Sequence, residues 1–110
     1  MRTKNKKVVQ KINKVNRRDL SNNTQKVFMR LVKADNDGWV ARTSFGIPSV
    51  TARIRDLRKS QYGSFTVECA SAEEINKSGR SKVTDIQTYY RIVPSSVTET
   101  GLNRILKGVI

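Results

Sequence analysis

The first half of the chain carries apolar residues at helical spacing, separated by polar turns. Four of them, Val27, Phe28, Leu31 and Val32, recur between 25 and 34 with bases at the positions between. This pattern predicts an amphipathic helix that begins after the N-capping residues at 21–24 and ends at the turn-forming residues at 35–38. The segment 39–45 fits either a short second helix or a brief strand followed by one helical turn.

The next helix is predicted from Pro48 or Ser49 to Ser60, after a tight turn formed by the Gly-Ile-Pro run at 46–48. Val50, Ile54 and Leu57 stand at i, i+4 and i+7 and form its buried face. At 100° per residue, the opposite face carries small and charged side chains. These are Ser49, Thr51, Ala52, Arg55, Asp56 and Lys59, with Arg53 and Arg58 flanking the apolar stripe.

The second half of the chain changes to a period of two, which is typical of strands with one buried face. Alternation over 65–70 and again over 83–93 predicts two antiparallel strands joined by a basic loop that contains Gly79. Cys69 is predicted to be a small packed residue of the inward row rather than a redox thiol. The inward rows are Phe65, Val67 and Cys69 on one strand, and Ile86, Thr88, Tyr90 and Ile92 on the other.

Both ends of the chain are predicted to lie outside the domain at 21–93. Residues 1–20 carry eight bases and one acid, and form either a solvated tail or a basic arm that becomes helical on a polyanion. Val8, Ile12 and Val15 give this segment only a weak helical stripe, and we expect them to remain outside the core. The tail at 94–110 holds a short amphipathic pattern that fits packing back onto the domain or, alternatively, a homodimer contact through 97–110.

Charge narrows the classes of partner. The 110 residues contain 22 Lys and Arg against 9 Asp and Glu, a net charge of +13, so polyanions are the natural partners. No apolar run approaches the roughly 20 residues that span a bilayer, and the basic N-terminus lacks the apolar centre of a signal peptide. We therefore expect no membrane partner and a cytoplasmic location.

The residues that the chain lacks also exclude functions. It has no His and a single Cys, which excludes zinc fingers, His-ligated metals and catalytic sites that need a histidine. Carboxylates are few and scattered, whereas a metal-dependent nuclease needs several that converge. The sequence therefore predicts no enzyme, no catalytic residue, no metal site and no cofactor.

One run of residues carries a more specific likeness. Phe45-Gly46-Ile47, the segment from Ala52 to Lys59 and the later Tyr90-Arg91-Ile92 together resemble the small winged helix-turn-helix domains of tailed phages and prophages. The match covers about 22–93. It departs from that family at 39–45, which is short and polar where the family has an apolar-patterned helix. The expected fold is α+β, with three helices and a two-stranded β wing, a basic N-terminal arm and a short C-terminal helix.

The resemblance implies that the helix at 49–60 recognises double-stranded DNA. It also implies that Asp56 pairs with a basic side chain of the same protein. Base contacts are expected from the side chains opposite the buried face, and Arg55 is the strongest candidate because a guanidinium can pair bidentately with guanine. The base-contact candidates are Ser49, Thr51, Ala52, Arg55 and Lys59. The phosphate-contact candidates are Lys26, Arg53, Arg58, Lys77, Arg80, Lys82, Arg17 and Arg18.

The expected role is a sequence-preferring transcriptional regulator of a phage or mobile element, acting on the nucleoid of a bacterial host cell. The same module could instead serve replication, packaging or excision. Two alternatives belong to other classes: an RNA-binding or ribosome-associated module, and a phage module that binds another protein. RNA binding would need exposed aromatic rings for base stacking, for which only Tyr89 is a candidate.

Overall fold

Helices and a small antiparallel sheet of three strands, one more than the expected two-stranded wing, make up the α+β fold seen in the computed structural model, which describes residues 6–34, 38–79 and 83–107. The strand order is β1-β3-β2, with Val40 opposite Tyr90 and Val67 opposite Ile92. None of the helices in these ranges is long and apolar enough to cross a membrane. The elements are α1 (Lys6–Lys14), α2 (Asn23–Val32), β1 (Val40–Ala41), α3 (Val50–Leu57), β2 (Val67–Ser71), α4 (Ala72–Lys77), β3 (Thr88–Ile92) and α5 (Glu99–Ile105).

The two helices with the clearest periodicity are present, although α3 ends at Leu57 rather than Ser60 and a 3-10 turn follows at Ser60–Tyr62. The Asn22 side chain caps α2 by accepting a hydrogen bond from the Gln25 N–H, as the capping residues at 21–24 indicate. In α3 the predicted face is buried, with Val50, Ile54 and Leu57 only 7%, 2% and 0% exposed. The α3 helix packs against α2, so its opposite face is directed outward.

The segment that the sequence left open forms a strand and then a helical turn. Residues 40–41 pair with β3, and a 3-10 turn follows at Arg42–Phe45. The Phe45 ring is buried and lies 6.4 Å from the Tyr90 ring, centroid to centroid. Gly46 ends the turn with a φ of +68°, a left-handed conformation that glycine adopts without strain.

The prediction that residues 1–20 stay outside the core is wrong for the part that the structure describes. Val8 is fully buried within α1, and Ile12 and Val15 are each 4% exposed. The weak stripe suffices because α5 supplies a second apolar surface for it to pack against. The Lys11 ammonium group reinforces this contact by donating to Glu99 Oε1 at 3.2 Å and to Asn103 Oδ1 at 3.0 Å.

The C-terminal segment packs back onto the domain, as one of the two predicted alternatives requires. Val97, Leu102, Ile105 and Leu106 belong to the main core, so this apolar face is not exposed for a homodimer contact. Val109 lies outside the described residues. The buried Gln25 side chain ties α2 to this segment, since its Nε2 donates to the carbonyl of Ile105 at 3.0 Å.

A glycine in the middle of α5 is explained by a close approach between two backbones. A Cβ built on Gly101 would lie 2.8 Å from the carbonyl oxygen of Gly63 and 3.1 Å from the Phe65 ring. The ring of Phe65 stacks in turn on that of Phe28, at 4.8 Å between centroids. Gly101 therefore does not interrupt the helix; it allows α5 to pack directly on the loop before β2.

Two side chains of the predicted inward rows face solvent instead. Cys69 is exposed on the edge strand β2, although it stands opposite the buried Tyr90 and Val67 of the same strand is buried. Ile86 is 98% exposed because β3 begins only at Thr88, so the alternation does not extend back to it. The strand pair itself is present, but it is shorter than the sequence predicts.

A helix that the sequence analysis missed connects the two strands. Ser71 and Glu74 form a capping box at the start of α4, with each side chain bonded to the backbone of the other. The helix places Ile75 on the sheet face opposite the main core, where Tyr89, Trp39 and Ala72 join it in a second apolar cluster. The sheet is therefore covered on both faces near this connection.

Substitution of Ser71 by Ala should destabilise the protein by about 1 kcal/mol, because the hydroxyl that accepts from the Glu74 N–H and donates to Glu74 Oε1 is lost. We expect the thermal midpoint to fall by about 4 °C. Ser95→Ala, which alters an exposed serine, is the control and should leave the midpoint unchanged. Equal midpoints for the two variants would show that α4 adds nothing to stability.

Candidate nucleic-acid interface

The outward face of α3 presents the predicted base-contact residues together. Ser49, Thr51, Arg55 and Lys59 are exposed, and Ala52 is half-buried. The helix is held on one side by α2 and at its end by β2. The helix is thus supported by its neighbours, with small residues near its N-terminus and basic side chains farther along. Such a surface has the shape and charge to enter the major groove of DNA.

Asp56 pairs with basic side chains on the α2 side of this face. Its carboxylate lies 3.2 Å from Arg53 Nε and 3.5 Å from Lys59 Nζ, and it accepts a hydrogen bond from the Thr24 hydroxyl at 3.4 Å. The expectation that Asp56 pairs with bases of its own chain is confirmed. Within the described ranges, Arg55 has no such acidic partner. Its guanidinium is therefore the positively charged group on α3 that is most available to a ligand.

Arg58 connects α3 to the sheet. Its Nη2 donates to the carbonyl of Val67 at 2.9 Å, at the first residue of β2. This bond uses one of the five guanidinium donors and fixes the direction of the side chain. Arg58 thus has a structural contact beside the phosphate contact predicted for it.

A shallow depression next to the start of α3 contains two residues that the sequence analysis did not single out. Arg42 and Thr43, from the 3-10 turn, line it together with Ser49 and Thr51. Thr43 is held in place because its N–H and hydroxyl both donate to Gln87 Oε1, at 3.2 and 2.9 Å. All of its lining residues fall within 42–51, but the pattern at 39–45 fitted two conformations and did not place the Arg42 and Thr43 side chains.

Ser49 carries backbone strain at the edge of the same depression. Its φ of +56° is left-handed, which is uncommon for a residue other than glycine, and its side chain does not cap α3. Such strain persists only where the surrounding structure enforces it, and it is concentrated at functional sites. The Ser49 hydroxyl is exposed and is not used to cap the helix.

The predicted phosphate contacts are scattered more widely. Lys77 belongs to the last turn of α4, where its ammonium lies 3.3 Å from Glu73 Oε1, and Arg18 is exposed between α1 and α2. Lys26 is on α2, in a separate depression with Arg30 and Lys33. Arg80, Lys82 and the side chain of Arg17 lie outside the described residues.

Acidic and basic side chains are unevenly distributed. Glu68 pairs with Arg91 at 2.7 Å, Glu99 with Lys11, and Glu73 with Lys77, so these acids neutralise bases on the sheet, on α1 and on α4. Lys26, Arg30, Arg42 and Arg55 have no acidic partner in the described part of the chain, but the same is true of other bases, among them Lys14 on α1 and Arg104 on α5. Uncompensated positive charge is therefore spread over several elements, and α2, the 3-10 turn and α3 carry a part of it.

Comparisons with protein-family models, with curated proteins and with solved structures found no match for this chain.

Proposed function

We propose that the protein binds double-stranded DNA as a winged helix-turn-helix domain, with α3 as the helix that enters the major groove. One observation carries the proposal. The α3 helix buries Val50, Ile54 and Leu57 on one side and on the other exposes Arg55, which has no acidic partner among the described residues. The major groove, about 12 Å wide, admits an α-helix.

The order of elements supports the same assignment. A helix, a short strand, a helical turn, the α3 helix and then two paired strands follow one another from α2 to β3. In this proposal α2, the turn at Arg42–Phe45 and α3 form the helix-turn-helix, and β2 and β3 form the wing. The wing of this protein is distinctive in carrying α4 between its strands.

Individual side chains receive separate roles in the proposal. Arg55 pairs with guanine, while Thr51 and Ala52 contact thymine methyl groups at the start of the helix. Arg42 and Arg58 bind phosphates on either side of α3, joined by Arg18 and the basic loop between α4 and β3. Lys59 reaches either a base or a phosphate by leaving Asp56, from which it is separated by 3.5 Å.

The biological role proposed is a transcriptional regulator of a phage or mobile element, in keeping with the resemblance at residues 45–47, 52–59 and 90–92. Replication, packaging and excision are alternative uses of the same contacts. RNA binding through stacked bases is less favoured, because Tyr89 is 5% exposed and its hydroxyl donates to the carbonyl of Asp85. No aromatic side chain is fully exposed; Trp39 and Tyr62 are half-buried.

Selection of bound duplexes from a random pool tests the proposal. We expect enrichment of a short motif that contains guanine, and tighter binding to that duplex than to single-stranded DNA or structured RNA. The logarithm of the affinity should fall linearly with the logarithm of salt concentration, with a slope of about −0.9 for each phosphate contact. Absence of any motif would contradict sequence preference, and tighter binding to RNA would contradict the proposal as a whole.

A further inference from the structure

A second concave surface lies beside α2 and is separate from the outward face of α3. Its apolar floor is formed by Leu20, Met29, Phe45 and Ile47. Its rim carries Lys26, Arg30 and Lys33, and it encloses about 690 Å³ of empty space including its open mouth. We call this depression the α2 pocket. It combines an apolar interior with a rim of one charge sign.

The basic rim follows from the way α2 is buried. At 100° per residue, the buried positions of α2 cover most of the helix circumference, from Val27 round to Met29. The narrow strip left to solvent holds Lys26, Arg30 and Lys33, at i, i+4 and i+7, together with the half-buried Asn23. These three bases span about 10 Å along the helix, at 1.5 Å per residue.

Among the described residues, no acid neutralises the charges on this strip. Lys26 and Arg30 make no ion pair there, and Lys33 donates a long bond, 3.4 Å, to the carbonyl of Val15. The described residues that line the pocket include no acid. Three like charges at neighbouring positions of one helix repel one another, so the strip gains most from a ligand that brings negative charge.

We propose that the α2 pocket binds an acidic segment of a partner protein, which places one large apolar side chain on the floor and two or more carboxylates along the strip. The partner is recognised by both parts, because carboxylates alone would leave the apolar floor uncovered. An amphipathic helix or an extended peptide meets these requirements. Duplex DNA complements the pocket less well, since it offers phosphates without an apolar group that could enter the concave floor.

This site would give the proposed DNA-binding protein a second partner through a different surface. The two depressions share only Ile47, and the pocket takes no side chain from α3. A protein held at the α2 pocket could therefore be bound while α3 is on DNA.

A random library of 12-residue peptides, selected against the full chain, provides the probe. We expect enriched peptides to combine at least two Asp or Glu with one large apolar residue. Their affinity, measured by fluorescence anisotropy, should fall by about tenfold or more for the double variant Lys26→Glu and Arg30→Glu. Replacement of the apolar residue of the peptide by Ala should weaken binding to the unaltered protein as well, because the floor is then left uncovered.

The matched control reverses two exposed bases that do not line the pocket, Lys6→Glu on α1 and Arg104→Glu on α5, with the same change of net charge. It should bind the peptides within about twofold of the unaltered protein, because long-range attraction is screened beyond about 10 Å at 0.1 M salt. Equal losses for both double variants would overturn the proposal, as would a failure to enrich such peptides. Binding to phosphatidylglycerol vesicles, lost only in the α2 variant and without peptide enrichment, would assign the pocket to a membrane surface instead.

Discussion

Replacement of Ile12 by Asp should unfold most of the protein at 25 °C. The side chain is 4% exposed and packs within the main core, although it belongs to the basic N-terminal segment. Loss of its packing alone costs about 2–5 kcal/mol, and burial of an unpaired carboxylate adds several more. Domains of this size have only about 5–15 kcal/mol of stability, so we expect a loss of the thermal transition or a fall in midpoint of more than about 15 °C.

Asn13→Asp is the matched control, because it adds the same charge one residue away at an exposed position of α1. Its midpoint should stay within a few degrees of that of the unaltered protein. Circular dichroism during heating measures both variants. If Ile12→Asp melted with the same midpoint as the control, α1 would be a detached arm and its packing on α5 would be wrong.

Replacement of Arg55 by Ala should reduce discrimination between the preferred duplex and random DNA by about 1–3 kcal/mol, or roughly 5- to 150-fold. The guanidinium is exposed on the outward face of α3 and is not ion-paired with any residue that the structure describes. Its removal should therefore leave the fold and the thermal midpoint intact. Competition binding against both duplexes at fixed salt gives the discrimination directly.

Arg104→Ala removes the same charge from an exposed side chain on α5, whose Nη1 donates to the carbonyl of Ser60. We expect this variant to keep full discrimination, because α5 does not form part of the proposed DNA surface. An equal loss on specific and random duplexes for Arg55→Ala would show that Arg55 contacts a phosphate rather than a base. That result would leave DNA binding in place and remove the base-reading role of Arg55.

Elements with a strong local pattern could be predicted from the sequence. The apolar faces of α2 and α3 recur within one or two turns, and the partner of Asp56 is only three residues away. The capping box at Ser71 and Glu74 was also a local signal, and its spacing of three residues could have revealed α4.

Features that depend on distant parts of the chain could not be predicted in this way. The stripe of α1 is weak alone, and it becomes part of the core only because α5 faces it. In the sequence, Gly101 suggests a break in a helix. The structure shows instead that the Gly63 backbone packs against it and leaves no room for a side chain. Thr43, beside the start of α3, is likewise held by Gln87, which is 44 residues away, so no window of sequence contains that contact.

The contact between α1 and α5 has a consequence for how the chain acquires its structure during synthesis. Lys11 and Glu99 are 88 residues apart, so α1 leaves the ribosome long before its packing partner exists. Until α5 is made, Val8, Ile12 and Val15 lack one of the surfaces that bury them, and the basic helix is free to associate with ribosomal RNA through charge alone. Completion of the core therefore has to wait until α5 has been made, and contacts of such long sequence separation are slow to form.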